Sequence, residues 1–81
     1  MPPNTALLIT PCNAIHCLGM LFSIDVVFLG KHLEVVQINH RLRPFFIAFN
    51  LKAKHVLEMP AGSIAALSLK MGDTIQLEQL T

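Results

Sequence analysis

His55-Val56-Leu57-Glu58-Met59-Pro60-Ala61-Gly62, running on to Leu67-Ser68-Leu69-Lys70-Met71-Gly72-Asp73, is the stretch whose reading decides the fold of this chain. Residues 55–59 read as a strand, and Pro60 ends it because proline cannot donate to a ladder. Ala61-Gly62 makes a turn. Ser63 is then placed as the N-cap of a short helix over residues 64–69, with Ile64, Leu67 and Met71 turned to the core. Gly72-Asp73 closes that helix and leads into residues 74–78, where Ile75 and Leu77 alternate with Gln76 and Glu78 as a half-buried outer strand. By the same alternation Glu58, between Leu57 and Met59, is placed toward solvent.

Upstream, Ser23-Ile24-Asp25-Val26-Val27-Phe28-Leu29 is the strongest strand signal. Its β-branched and aromatic residues occupy both parities, so both of its faces should be covered. Gly30-Lys31-His32 reads as a tight turn, and residues 33–39 return as the hairpin partner. Residues 6–10 form a short β-prone run stopped by Pro11, and residues 45–49 form another apolar strand after Pro44. Residues 13–20 fit neither pattern well, since Gly19 opposes a helix interior. These elements predict a mainly β (α+β) domain. It is a compact antiparallel β-barrel-like or rolled sheet of five to six strands, with one short helix near residues 63–70.

Composition bounds the function. Eighty-one residues make a single domain over 1–81, 53% hydrophobic and only 14% charged. So little charge leaves little polar surface, which predicts that a partner, such as a second copy in a homodimer, covers some apolar area. A net charge of +1 excludes binding driven by phosphate contacts, so no nucleic acid partner is expected. Residues 14–30 are apolar enough to attract notice as a membrane span. They are short for one, however, and Asp25 would cost about 2.5–3.5 kcal/mol at mid-bilayer, so no membrane partner is expected. Cys12 and Cys17 lie an odd number of positions apart, on opposite faces of any shared strand, and read as free thiols. Together with the absence of a basic, apolar leader at Met1-Pro2-Pro3-Asn4, they predict a cytoplasmic location.

Several segments, in order, resemble the uncharacterised bacterial and archaeal family DUF192, or UPF0127. They are Pro11-Cys12-Asn13-Ala14-Ile15-His16 with Gly19-Met20; Ile24-Asp25-Val26-Val27-Phe28-Leu29; Leu42-Arg43-Pro44 before an aromatic; Ala53 with Val56-Leu57-Glu58-Met59-Pro60-Ala61-Gly62; and Gly72-Asp73. The resemblance spans nearly the whole chain. It implies a small, mainly β domain and supplies no activity. The chain departs from the family pattern at Cys17, where Thr is usual, at Phe45, often Trp, and at Ser68, commonly Gly. Family members also usually carry a portion before the Leu-Leu-Ile-Thr-Pro-Cys segment. A strand missing there would leave an open edge that invites pairing with a second copy.

Four groups of residues could carry chemistry. Cys12, His16 and Met20, at i, i+4 and i+8, share a face on either a strand or a helix and form a soft donor set for copper(I) or zinc. On an extended strand they are roughly 13 Å apart, too far to share an ion, so a core Cys and Met beside a hydrogen-bonded His is the favoured reading. A thiol nucleophile, Cys12 or Cys17 with His16 and Asp25, needs the same bend and lacks a recognisable oxyanion hole. Asp25, within an apolar strand, must find donors; it either locks the strand register or serves a site. Arg43, beside Pro44 and Phe45, can hold an anion or pair with a carboxylate. The expectation is therefore a binding or interaction module and not an enzyme, with no cofactor. Its site lies near His16, Asp25 and Arg43, and its partner is a protein or a small anion. Metal binding by Cys12, His16 and Met20 is the alternative.

Overall fold

The strand predicted over residues 23–29 is the centre of the molecule. The computed structural model describes residues 6–16, 23–44 and 46–76, and in it β3 (Ile24–Leu29) is buried at every position. The elements before it are β1 (Leu7–Ile9) and β2 (Ala14–His16). After it come β4 (Val35–Leu42), β5 (Ile47–Phe49), β6 (His55–Pro60) and the helix α1 (Ser63–Leu67). Four strands form one antiparallel sheet in the order β1-β6-β3-β4, and β2 and β5 pair as a separate two-stranded ribbon. The fold is mainly β and rolled, and among the described residues the sheet is not closed into a barrel, β1 and β4 standing at its two ends.

The two parities of β3 feed two apolar layers, as its sequence predicts. Ile24, Val26 and Phe28 pack with Val56, Leu42, Ala48 and Ala53, and Cys12 and Ile15 lie against them. This is the face that the β2–β5 ribbon covers. Val27 and Leu29 pack with Leu57, Met59, Val35 and Ile64 on the other face, under α1. Fully burying a Phe, Leu, Ile or Val stabilises by about 1.5–3 kcal/mol, so the paired layers are the main source of stability in so short a chain.

The hairpin falls where predicted. Gly30 donates to the Glu34 carbonyl at 2.8 Å, and Leu33 donates to Gly30 at 3.0 Å. A Cβ on Gly30 would stand 2.6 Å from the Glu34 carboxylate, which would have to swing aside to admit it. The Glu34 carboxyl is held below its ordinary range by its own backbone N–H and that of His32.

Several expectations need correction. Ser63 does not cap α1. The N-cap is Gly62 at φ 93°, and the Ser63 hydroxyl donates back to the Pro60 carbonyl at 2.6 Å. Leu67 and Met71 do not reach the core, each being 61% exposed. The helix is a single turn, and Ser68 at φ 54° breaks the 3.6-residue period, so Leu69 packs inward after Ile64. Glu58 is buried and not exposed, because it shares its face with Val56 and with Val26 opposite it, in the layer that the β2–β5 ribbon covers. Burial pushes its carboxyl above the ordinary range. Within the described residues the last predicted strand is one bridge, Glu34 to Thr74. Val35 donates to Asp73, and Ile75 donates to Leu33.

Candidate functional site

The register of β3 against β4 explains what Asp25 does. Ile24 faces Leu42 and Val26 faces Asn39, so His40 and Arg41 together stand opposite Asp25 in a β-bulge. Arg41 takes a left-handed φ of 50° there, and its N–H turns to the carboxylate, donating to Oδ1 at 2.9 Å. Oδ2 accepts from Gly62 N–H at 3.1 Å and from Ile64 N–H at 2.8 Å. The side chain is fully buried. A carboxylate 37 to 39 positions earlier in sequence thus supplies the cap that Ser63 does not, and it also lies at the positive end of the helix. Asp25 joins β3, the β4 bulge and the start of α1. Its oxygens face backbone donors of this chain and no solvent.

The other candidates lie apart from it. Arg43 is exposed on the segment after β4. The backbone of His16 pairs with Ile47 at the end of the ribbon. Cys12 is a free, partly exposed thiol whose Sγ donates to the Ala14 carbonyl at 3.1 Å. It lines an open cleft of about 240 Å³ with Pro11, Asn13, Ala53 and Lys54. Beside that cleft the Thr10 hydroxyl and His55 Nδ1 are hydrogen-bonded at 2.5 Å. Met20 and Cys17 lie outside the described residues. No group of three or more His, Cys, Asp or Glu residues is placed to hold a metal among the described residues. No helix among them is long and apolar enough to cross a membrane.

The outer face of the β2–β5 ribbon is not evident from the residues alone. The apolar strand expected over residues 45–49 is present as β5, Ile47–Phe49. In the structure only Ala48 turns inward from β5, at 5% exposure, whereas Ile47 and Phe49 point outward at 65% and 60%. Phe46 and Leu51 flank them and are also exposed. Ala14, opposite Phe49, is exposed too. The signal was the single small residue between large ones. A ribbon lying directly on the main sheet has room for Ala48 alone, so the larger side chains must point away.

An amide chain fixes the ribbon's position. Gln37 Nε2 donates to Asn39 Oδ1 at 2.8 Å, and Asn50 Nδ2 donates to Gln37 Oε1 at 3.0 Å, joining β4 to the end of β5. Asn50 N–H also donates to the Asn13 carbonyl at 2.9 Å. The apolar face is therefore presented by a braced element.

Fold and site together define a small β-rich domain with a buried carboxylate at its centre and an apolar face on its outer ribbon. The chain belongs to the DUF192 family, described as "Uncharacterized ACR", whose model matches residues 1–77. It is 44% identical over 71 residues to a UPF0127 protein of Thermococcus sibiricus, covering 85% of this chain and 46% of that one. A UPF0127 protein of Pyrococcus furiosus is 39% identical over 73 residues, covering 88% and 62%. The chain thus spans about half to three-fifths of the length of these relatives. A crystal structure of a protein of unknown function from Novosphingobium aromaticivorans matches with a TM-score of 0.82 at 19% identity, over 95% of this chain and 60% of that one. That likeness concerns the fold.

Proposed function

We propose that this domain is a non-catalytic binding module and that its contact surface is the outer face of the β2–β5 ribbon. The observation that carries the reading is the exposure of Phe46, Ile47, Phe49 and Leu51, four large apolar residues within six consecutive positions, on a domain with only 14% charged residues. Contiguous apolar patches on small proteins mark interaction surfaces, and aromatic residues dominate the energetics of such surfaces. A cytoplasmic setting accords with the free Cys12 thiol. A protein partner suits the face better than a small anion does, because the face is apolar.

The test is a binding comparison between the wild-type chain and Phe49→Glu, with far-UV circular dichroism as the folding control. The reading predicts that any protein bound by the wild type is lost from the variant, together with binding of a hydrophobic dye. Equal retention of partner and dye by both would contradict it.

A further inference from the structure

We infer that the occupant of this face is a second copy of the same chain, packed ribbon on ribbon about a two-fold axis. The inference rests on the contact-surface reading above and adds the partner. Three observations favour it.

The first is area. Four large side chains, each more than half exposed, present on the order of 500 Å² of apolar surface. That is about a tenth of the 5505 Å² surface of the chain, the share that a specific interface takes from a small protein. Two such faces together bury about 1,000 Å², enough for a weak, concentration-dependent dimer.

The second is chemistry. Ala14, Ile47 and Phe49, and the flanking Phe46 and Leu51, carry no charge, and His16, the register partner of Ile47, is the one titratable residue in the β2–β5 pairing. A two-fold axis sets the same patch against itself, which any charged patch resists through like-charge repulsion. A patch whose large side chains are all apolar meets its own copy with little of that cost.

The third is shape. Ile47 and Phe49 alternate with the inward Ala48 on a regular antiparallel ribbon whose register with β2 is unbroken over three pairs. That is the surface from which face-to-face sheet packing is built, with side chains interdigitating across about 10 Å. The amide chain through Gln37 and Asn50 braces the ribbon before contact, so little ordering opposes association.

The test is sedimentation equilibrium of the 81-residue chain from micromolar to near-millimolar concentration, alongside Phe49→Glu and, as a second variant, Ile47→Lys. Both positions are mostly exposed, so both variants should keep the wild-type circular dichroism. The expected result is a mass rising toward twice 9.0 kDa for the wild type and at least a tenfold weaker dimer for both variants. A wild type that stays monomeric throughout overturns the second-copy inference. If Phe49→Glu then still abolishes dye binding, the contact-surface reading survives; if dye binding is unchanged, both fall. A dimer that both variants leave intact also overturns the inference, because its interface is then elsewhere.

Discussion

Replacing Asp25 is the sharpest test of how this chain holds itself together. Its carboxylate accepts three backbone N–H bonds, from Arg41, Gly62 and Ile64, at a fully buried position. Hydrogen bonds to a charged group contribute about 1.5–3 kcal/mol each, and a buried donor left without a partner costs about 1–3 kcal/mol. The three bonds share one acceptor and do not add fully, so Asp25→Ala should cost about 4 kcal/mol. An 81-residue domain has roughly 4–12 kcal/mol in all, at about 0.05–0.15 kcal/mol per residue. Asp25→Asn preserves shape but sets an NH₂ against at least one N–H donor, and should cost about 2–3 kcal/mol. The chain has no Trp or Tyr, so urea unfolding is followed by far-UV circular dichroism. With a slope of about 1 kcal/mol per molar urea, the midpoint should fall by roughly 2–3 M for Asp25→Asn. Amide exchange should quicken at Arg41, Gly62 and Ile64 before it does in β3. An Asp25→Asn midpoint within about 0.5 M of wild type would contradict this role for the carboxylate.

Three further predictions follow from other positions. The Glu58 carboxyl is raised above 4.5 by burial, so the folded state binds its proton more tightly than the unfolded chain does. This contribution is fully present below about pH 4.5 and is lost as pH rises through the folded value. Glu58→Gln should therefore gain stability over wild type as pH is raised from 4.5 toward neutrality; urea midpoints that differ by the same amount at every pH would contradict this. Ser68 holds a left-handed φ of 54°, where a side chain costs about 1 kcal/mol, so Ser68→Gly should raise the melting temperature by a few degrees; an unchanged or lower value counts against the assigned backbone. Ala48 is the inward residue of the ribbon, and Ala48→Leu should destabilise by about 1–3 kcal/mol through overpacking, whereas the same change at a free surface would be nearly silent.

How much of this was legible in the residues depended on whether the deciding contact was local. The Ile24–Leu29 strand and its Gly30 turn show plainly, because β-branched residues at both parities and a glycine carry their own structural meaning. The cap of α1 does not. A serine in the right place reads as an N-cap, but the acceptor arrives from Asp25, 39 positions before Ile64, and no local pattern reports it. Glu58 fails for a related reason. Alternation says which face a residue takes, while whether that face is covered depends on what packs against it, here the β2–β5 ribbon. At Phe46, Ile47 and Phe49 apolar character showed a strand but not its environment, and the pairing of β5 with β2 left the outer face open. The expected site had joined Asp25 to Arg43, and the structure places one in the interior and the other on the surface.

The claim that the outer ribbon face is where this domain meets its partner is tested most directly at the side chains themselves. Relaxation of the Ile47 methyl and Phe49 ring signals by a soluble nitroxide should be strong in dilute protein and should fall as concentration rises into the dimer range, while Leu67, exposed on α1, stays fully accessible. Ile47 and Phe49 signals that are shielded even at the lowest concentration, or equally accessible at the highest, would contradict the account.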